Sequence, residues 1–254
     1  MYKKVIVGVV VLVLSSTVFA QEYKVSKTSG RLNIVEVNNV SIEGTTGNEI
    51  VFSSRSNIRE NDERAKGLRA VSSMGLEDNT GLGLSVQTKG DVIEVRQLKK
   101  MDGPQITIKV PKGVVISYNH TSPHGQDFNL KNIENEVEVS TVHNGINLEN
   151  VTGPLNIKSV HGDIDAVLGE NLKNPISMVS VHGPIDVTLP GTVKASLKLS
   201  TTWGELFVAP ELKIEMDTKG DMVRYSDQFS GKINGGGIEI NLSSTHNNVY
   251  LRKK

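Results

Sequence analysis

Apolar and polar residues alternate with a period of two along most of the chain. Ile106, Ile108 and Val110, for example, are separated by single polar residues before Pro111 and Gly113 turn the chain. This period is typical of half-buried β-strands, because successive side chains of a strand point to opposite faces. Little of the chain has the period of an α-helix, so the pattern predicts an all-β protein.

One charged stretch, from Ser53 to Gly67, interrupts the alternation. It is crowded with arginine, lysine, aspartate and glutamate and contains few apolar residues. Such a stretch has no face to bury, so we predict a solvated loop or one short exposed helix there.

A short motif recurs from about Gln126 onward. The copies are TVHNGIN at 141–147, SVHGDID at 159–165 and SVHGPID at 180–186, with degenerate copies at 201–206 and 244–249. Equivalent positions 142, 160, 181, 202 and 245 are 18, 21, 21 and 43 residues apart, and the last spacing is about two periods. A unit of about 20 residues cannot bury its own apolar face, so neighbouring copies must stack.

Each copy predicts two short strands and two corners. The apolar positions of one copy are Leu155, Ile157 and Val160 before the corner and Ile164, Ala166 or Val167, and Leu168 after it. Wound repeatedly, such units form a single-stranded β-solenoid in which each strand pairs with the units above and below. Equivalent residues then form columns spaced by about 4.8 Å.

We predict that the solenoid spans residues 106–254 and that a β-rich N-terminal region, residues 21–105, caps or extends it. A β-sandwich is the competing architecture, because it also has short strands at regular spacing. A sandwich does not explain why residue types recur as well as the hydrophobic pattern.

Several motifs resemble the exported β-strand-repeat putative adhesin family, which is related to the head domains of autotransporter adhesins. They are ITIKVPKG at 106–113, the repeated VHG-x-I units, the ending GKINGGGIEINLSSTHNNVYLRKK at 231–254, and GLRAVSSMG and DNTGLGLSV, which start at Gly67 and Asp78. The resemblance covers the chain after residue 20. It implies a fold and a cell-envelope role in adhesion, and it implies no catalytic residues and no defined ligand.

The first 20 residues predict export. Lys3 and Lys4 precede an apolar run from Val5 to Leu14, and the small residues Val18 and Ala20 are suited to signal peptidase. We predict cleavage before Gln21, because an uncleaved anchor helix requires about 20 apolar residues. The chain has no cysteine for lipid attachment or disulfides, so we expect a periplasmic or extracellular protein that is not a lipoprotein.

The remaining chain is close to neutral. Of 28 basic and 28 acidic residues, cleavage removes two lysines and leaves 26 against 28. The sequence has no cluster of basic residues interleaved with aromatics, so we predict no nucleic-acid partner. No later segment is apolar enough to cross a membrane. The partner class left open is an envelope protein or a glycan, and the oligomeric state is left open too.

Nucleophilic catalysis is one function to weigh, since Ser159, His161, Asp163 and Asp165 supply the residue types of a triad. Ser159 and His161 alternate along one predicted strand, which places their side chains on one face about 7 Å apart, beyond hydrogen-bond reach. The set also recurs in three copies, and no hydrolase signature accompanies it. We therefore predict no catalytic residues and no enzyme activity.

Polysaccharide binding or cleavage on a β-helix is the alternative function. Asp165 and Asp186 are expected in one column beside Asn147, but no third acid or base falls in that column. Exposed polar residues that favour turns are the simpler interpretation. Glycan binding without cleavage stays open, with Trp203 and Tyr250 as the aromatic residues near the repeated column.

Histidines recur at the corners. His124, His143, His161, His182 and His246 lie at or within about a residue of equivalent positions, and stacked imidazoles could share a zinc or copper ion. The metal candidates are His143, His161 and His182. We favour the simpler interpretation, in which histidine fills a recurring corner, because Trp203 occupies the same place in a later copy. No cofactor is predicted.

A column of hydroxyl residues precedes the corners: Thr141, Ser159, Ser180, Thr201 and Ser244. We expect these side chains to satisfy backbone groups where the strands turn. Together, the patterns predict a non-catalytic exported protein that acts in adhesion, binding or scaffolding at the cell envelope.

Overall fold

The computed structural model describes residues 21–54, 63–216 and 228–254. The predicted signal segment and its cleavage site up to Ala20 lie outside these ranges, and so does most of the charged stretch predicted as a loop or short helix. In the described parts of that stretch, Ser53 and Ser54 end a β-strand and not a loop or helix, and Glu63–Ala65 form one exposed 3-10 turn.

The described residues form 21 β-strands. In chain order they are β1 Gln21–Ser26, β2 Gly30–Val35, β3 Asn39–Thr45, β4 Glu49–Ser54, β5 Leu84–Lys89, β6 Val92–Gln97, β7 Gln105–Pro111, β8 Val114–His120, β9 Phe128–Lys131, β10 Val137–Thr141, β11 Ile146–Val151, β12 Leu155–Ser159, β13 Ile164–Leu168, β14 Ile176–Ser180, β15 Ile185–Leu189, β16 Ala195–Thr201, β17 Leu206–Val208, β18 Ile214–Met216, β19 Gln228–Ile233, β20 Ile238–Ser244 and β21 Val249–Lys253.

The strands make two mixed sheets. The first sheet has ten strands in the order β1-β4-β7-β3-β9-β11-β13-β15-β21-β17, and the second has eleven in the order β18-β19-β16-β20-β14-β12-β10-β8-β2-β6-β5. No α-helix occurs in the described ranges, and none of their helical turns is long and apolar enough to span a membrane. The all-β prediction is confirmed.

From β8 to β15, consecutive strands alternate between the second and the first sheet. Each pair of consecutive strands with its two corners is called a coil here. The coils stack in parallel and in the register of the sequence repeat, so that Thr141 lies opposite Ser159, and Ser159 opposite Ser180. In the first sheet, Ile146 lies opposite Ile164, and Ile164 opposite Ile185. The predicted two-strand unit is confirmed in this part of the chain.

The spatial order of the coils differs from simple winding at both ends. The coil β20–β21 lies between β14–β15 and β16–β17, although it follows both in sequence. Likewise β2–β3 lies between β6–β7 and β8–β9. Insertion gives both edges of these terminal strands a hydrogen-bonded partner, which protects backbone groups that an edge strand leaves open.

The core lies between the two sheets and consists of inward columns of isoleucine, leucine and valine. Ile157, Ile164 and Ile185 are completely buried. Ala166 is buried and Val167 is 42% exposed, so Ala166 is the inward residue of that pair. Because every second residue points inward, the intervening residues form straight columns on the outer faces.

Candidate functional site

The candidate residues lie in, or directly beside, the corner that joins a strand of the second sheet to the next strand of the first sheet. Glycine determines the shape of this corner. A Cβ added to Gly162 would lie 2.0 Å from the Asn144 carbonyl oxygen, and one added to Gly183 would lie 2.2 Å from the Gly162 carbonyl oxygen. The coils therefore approach too closely for a side chain at these positions. Asn144 occupies the same position in another copy, where its Nδ2 donates to the Gln126 carbonyl at 2.7 Å.

The hydroxyl column points into the protein and closes the corners. Thr141 Oγ1 donates to the Asn144 carbonyl at 2.9 Å, and Ser159 Oγ donates to the Gly162 carbonyl at 2.6 Å. Thr201 Oγ1 and Ser244 Oγ instead donate to corner carbonyls of a neighbouring coil, those of Asn247 and Gly183. All five hydroxyl residues are buried. The expected structural role, satisfying backbone groups at the turns, is confirmed for these four pairs.

The histidines at the corner form an exposed ladder. We call His143, His161, His182 and His246 the histidine ladder; its ring centroids are 5.4, 4.8 and 4.8 Å apart, with interplanar angles of 15°, 5° and 10°. His124 does not belong to it, because the corner between His120 and Phe128 is three residues longer than the corner between Thr141 and Ile146 that pairs with it.

The metal candidates His143, His161 and His182 are thus adjacent, but their rings face one another. The lone pair of an imidazole nitrogen lies in the ring plane and points away from the stacking direction, so a metal ion between two stacked faces would meet no lone pair. Within the described ranges, no group of three or more histidine, aspartate or glutamate side chains is arranged to hold a metal ion.

We expect no saturable zinc or copper binding by the ladder. Calorimetric titration of either ion into the wild-type protein and a triple variant, His143→Asn, His161→Asn and His182→Asn, checks this, because asparagine fits such corners. A tight isotherm seen only with the wild type, and lost on acidification because imidazole must be neutral to coordinate, would contradict it.

The structure separates the residue types of a catalytic triad. Ser159 is buried, and its hydroxyl donates a hydrogen bond to the Gly162 carbonyl. His161 is exposed, and its ring stacks between those of His143 and His182. The expectation that Ser159 and His161 share one face is wrong. Strand β12 ends at Ser159, and the corner that follows breaks the alternation on which the expectation depended.

The expected Asp165–Asp186 column exists on the outer face of the first sheet. Its members, called the outer column, are Asn129, Asn147, Asp165, Asp186, Tyr250 and Phe207, in spatial order. Asn147 Nδ2 donates to Asn129 Oδ1 at 3.1 Å. Partial burial raises the pKa of the Asp165 carboxyl above its usual value, and the neighbouring carboxylates, Asp186 foremost, raise it further.

Arg252 is a site residue that sequence reasoning missed. Its guanidinium Nε and Nη2 donate to both carboxylate oxygens of Asp186 at 2.8 to 2.9 Å, and its Cζ lies 5.6 Å from the Tyr250 ring centroid. Arg252 lies two residues after Tyr250 on β21, opposite Thr188, and therefore in the column beside the one that contains Asp186. Only the register of the last strand reveals this, because 66 residues separate the partners in sequence.

Aromatic residues lie at the end of both the histidine ladder and the outer column. Phe207 stacks on Tyr250 with ring centroids 5.1 Å apart and an angle of 11°. Trp203 follows His246 in the backbone ladder, since the Trp203 N–H donates to the Thr245 carbonyl at 2.9 Å. Trp203 is 74% exposed and Phe207 is 43% exposed. Trp203 and Tyr250 were expected near the repeated column, and Phe207 was missed.

The model of the Toastrack DUF4097 family matches residues 124–252, which is 129 of the 254 residues. The chain belongs to the Toastrack DUF4097 family. The resemblance to a β-strand-repeat family drawn from the motifs is thereby confirmed at the level of the family.

Solved structures similar to this Toastrack chain include a putative cell adhesion protein from Clostridium sporogenes ATCC 15579. It is 13% identical, with a TM-score of 0.43, over 93% of this chain and 100% of the other. A putative adhesin from Bacteroides fragilis NCTC 9343 is 12% identical, with a TM-score of 0.32, over 94% and 98% of the two chains. No curated protein matches the chain significantly.

At the opposite corner, the Toastrack chain has a polar recess of about 660 Å³ lined by Asn132, Glu134, Asn150, Thr152, Glu170, Asn171, Lys173 and Asn174. Both of its carboxylates are more than half exposed and paired with lysines. Glu134 lies 2.8 Å from the Lys112 ammonium, and Glu170 lies 3.5 Å from that of Lys254. Solvated, ion-paired carboxylates lack the environment that prepares a general acid or base.

A buried histidine, His120, lies opposite Thr141 in the neighbouring coil. His120 is completely buried, its Nε2 lies 3.1 Å from Asn38 Oδ1, and its ring is parallel to that of Tyr118. Burial lowers the pKa of His120 below its usual value, and the Glu36 carboxylate opposes this effect. The folded Toastrack chain therefore resists protonation of this ring more than the unfolded chain does.

We expect the free energy of unfolding to fall as the pH is lowered through the range in which the His120 imidazole takes up a proton. Unfolded histidine takes up a proton below a pH of about 6.5, so the contribution is complete above that pH and is lost as the pH falls toward the lower folded-state pKa. Urea denaturation at pH 7, 6 and 5 measures it. His120→Gln, which does not titrate, should lose less stability over this range, and an unchanged slope would contradict the assignment.

Proposed function

We propose that this chain is exported and acts as a non-catalytic binding or scaffolding protein at the cell envelope, including a role in adhesion. The observation that carries the proposal is the array of outward side chains in straight rows. Trp203 takes the next backbone position after the histidine ladder, and the outer column ends at Phe207. Exposed rows on a regular backbone suit recognition along a surface, whereas enzymes generally convert small substrates in clefts.

The scaffold supports this role because its stacking is repetitive and in register. We infer that the predicted single-stranded solenoid describes the whole scaffold, with the terminal coils β2–β3 and β20–β21 folded back into it. Each coil contacts mainly its neighbours, so a rigid extended face forms without a central active site. Surface residues can then vary without loss of the core.

The lack of enzyme activity is part of the proposal. Its support is the burial of Ser159 away from His161, the pairing of Asp186 with Arg252, and the solvated carboxylates at the opposite corner. Each of these groups already has a structural partner or lacks the burial that tunes a catalytic group.

Export and envelope binding are tested together. The full chain, expressed in a bacterial host, should be recovered from the envelope fraction with a mature N-terminus at or near Gln21 by mass spectrometry. The purified protein should cosediment with isolated envelopes. Recovery of intact Met1, or protein that never cosediments, would contradict the proposal.

Matched variants locate the binding face. His161→Ala with His182→Ala removes the centre of the exposed ladder, and we expect it to weaken cosedimentation about tenfold, equivalent to about 1.4 kcal/mol. Lys158→Ala with Lys198→Ala changes exposed residues on the second sheet and should leave binding unchanged. Equal losses in both variants would show that the binding face lies elsewhere.

A further inference from the structure

The two exposed tryptophan and phenylalanine rings of the described ranges lie on one coil. Of the other phenylalanine and tyrosine rings there, Phe52, Tyr118 and Phe128 are buried, and Tyr23, Phe229 and Tyr250 are half-buried. Trp203 and Phe207 both lie on β16–β17 or its corner, four residues apart. Large apolar rings are unfavourably hydrated when they are exposed, and a ligand that covers them relieves this cost. Two such rings on one coil therefore indicate a binding surface.

Phe207 presents one free ring face. Its other face is stacked on Tyr250 at 5.1 Å. Strand β17 is the last strand of the first sheet, and in the described residues it pairs only with β21, so no further coil of that sheet covers the outer face of the ring. Tyr250 is itself held in place, because Asn248 Nδ2 donates to its hydroxyl at 2.9 Å.

Polar groups of fixed orientation adjoin the rings. The Arg252 guanidinium is held by both oxygens of Asp186 and lies over Tyr250. The opposite charges of Asp186 and Arg252 cancel, so this pair adds polar groups without net charge beside the Phe207–Tyr250 stack. Beyond Asp186, the outer column continues with Asp165, Asn147 and Asn129 at the spacing of the coils.

We propose that Trp203, Phe207, Tyr250, Asp186 and Arg252 form a binding site for a neutral, extended polysaccharide that lies along the outer column. We call these five residues the aromatic platform. The proposal deepens the envelope-binding function above and rests on it. A pyranose ring has an apolar face of C–H groups that packs on the electron-rich face of an aromatic ring. Its hydroxyls both donate and accept, which matches the carboxylate, guanidinium and amide groups beside the platform.

A polysaccharide fits the observations better than a peptide or a second copy of the chain. A continuous row of small polar residues beyond the platform offers hydrogen bonds and no apolar pockets for alternating side chains. The platform has no net charge to select an ionic partner. The rows run across the strands at regular intervals, as a polymer of repeating rings requires.

Trp203 makes the test direct, because it is the single tryptophan of the chain. The probes are three neutral hexasaccharides: β-1,4-linked glucose, β-1,4-linked N-acetylglucosamine and α-1,4-linked glucose. We expect at least one to change the Trp203 fluorescence saturably and to give a matching calorimetric isotherm. Failure of all three to bind by both methods would overturn the proposal.

Variants assign the binding to the platform. Phe207→Ala should weaken binding of the hexasaccharide about tenfold, because it removes the ring face on which we place the sugar. Trp203→Ala, followed by calorimetry, provides a second variant at a more exposed position that does not endanger folding. Lys198→Ala on the second sheet is the matched control. Unchanged affinity in both platform variants would overturn the assignment.

Two further readouts separate the possible failures. Sedimentation velocity without sugar shows whether the platform instead joins two copies of the chain; dimers abolished by Phe207→Ala, without hexasaccharide binding, would overturn the polysaccharide proposal. Envelope cosedimentation that persists in Phe207→Ala but not in the ladder variant would leave the envelope-binding function standing and overturn this site. Loss of both hexasaccharide and envelope binding in Phe207→Ala is the supporting outcome.

Discussion

Replacing Ile164 with aspartate is expected to unfold several coils together. Ile164 is completely buried and lies opposite Ile146 and Ile185 in the neighbouring coils. The substitution places an unpaired carboxylate in the inward apolar column, which we expect to cost more than about 4 kcal/mol. Because coils depend on their neighbours, loss of one removes the partners of the next.

The control for this substitution lies a few residues away. Lys158 is exposed on the outer side of β12, and Lys158→Asp should change the free energy of unfolding by less than about 0.5 kcal/mol. Circular dichroism during urea denaturation measures both variants. If both proteins lose similar stability, the assignment of inward and outward positions is wrong.

Gly162→Ala should be the most damaging single-methyl addition on the chain's repeated corner. The new Cβ would lie 2.0 Å from the Asn144 carbonyl oxygen and 2.4 Å from its carbonyl carbon. That backbone cannot move freely, because His161 N–H donates to the Val142 carbonyl and Ile146 N–H donates to the Asp163 carbonyl, both at 2.8 Å. We expect a loss of about 3 kcal/mol, the upper end of ordinary overpacking costs.

Gly47→Ala provides the matched comparison. An added Cβ there would have its nearest contact at 3.6 Å, to the Thr45 hydroxyl, and Gly47 does not adopt a positive φ. Alanine should leave stability unchanged or raise it by a few tenths of a kcal/mol, because it restricts the unfolded chain. Thermal and urea denaturation of both variants decide the issue, and a Gly162→Ala protein as stable as Gly47→Ala would refute the close approach of the coils.

The candidate site was partly predictable. The recurrence of histidine at equivalent corners predicts a stacked row, and the ladder has the expected spacing. The Asp165–Asp186 column follows from the same recurrence. Phe207 and Arg252 were not predictable, because their partners, Tyr250 and Asp186, lie in coils that are distant in sequence.

Ser159 and His161 show where reasoning from strand alternation stops. Alternation places both on one face, but β12 ends at Ser159 and the corner turns the following residues outward. The two-residue period holds only while the backbone is extended. At a corner, close packing of glycine against the next coil determines the side-chain direction, and that contact is tertiary.

The sequence by itself determined the strand content, the two-strand repeat and most of the inward positions, because alternation and recurrence are local properties of the chain. Only the tertiary structure decided the order in which coils stack, with β20–β21 between β14–β15 and β16–β17, and β2–β3 between β6–β7 and β8–β9. The reason is that every parallel strand offers the same backbone donors and acceptors to its neighbour. Similar coils therefore compete for the same places, and the order selected leaves Phe207 at the edge of the first sheet and Tyr250 in its interior.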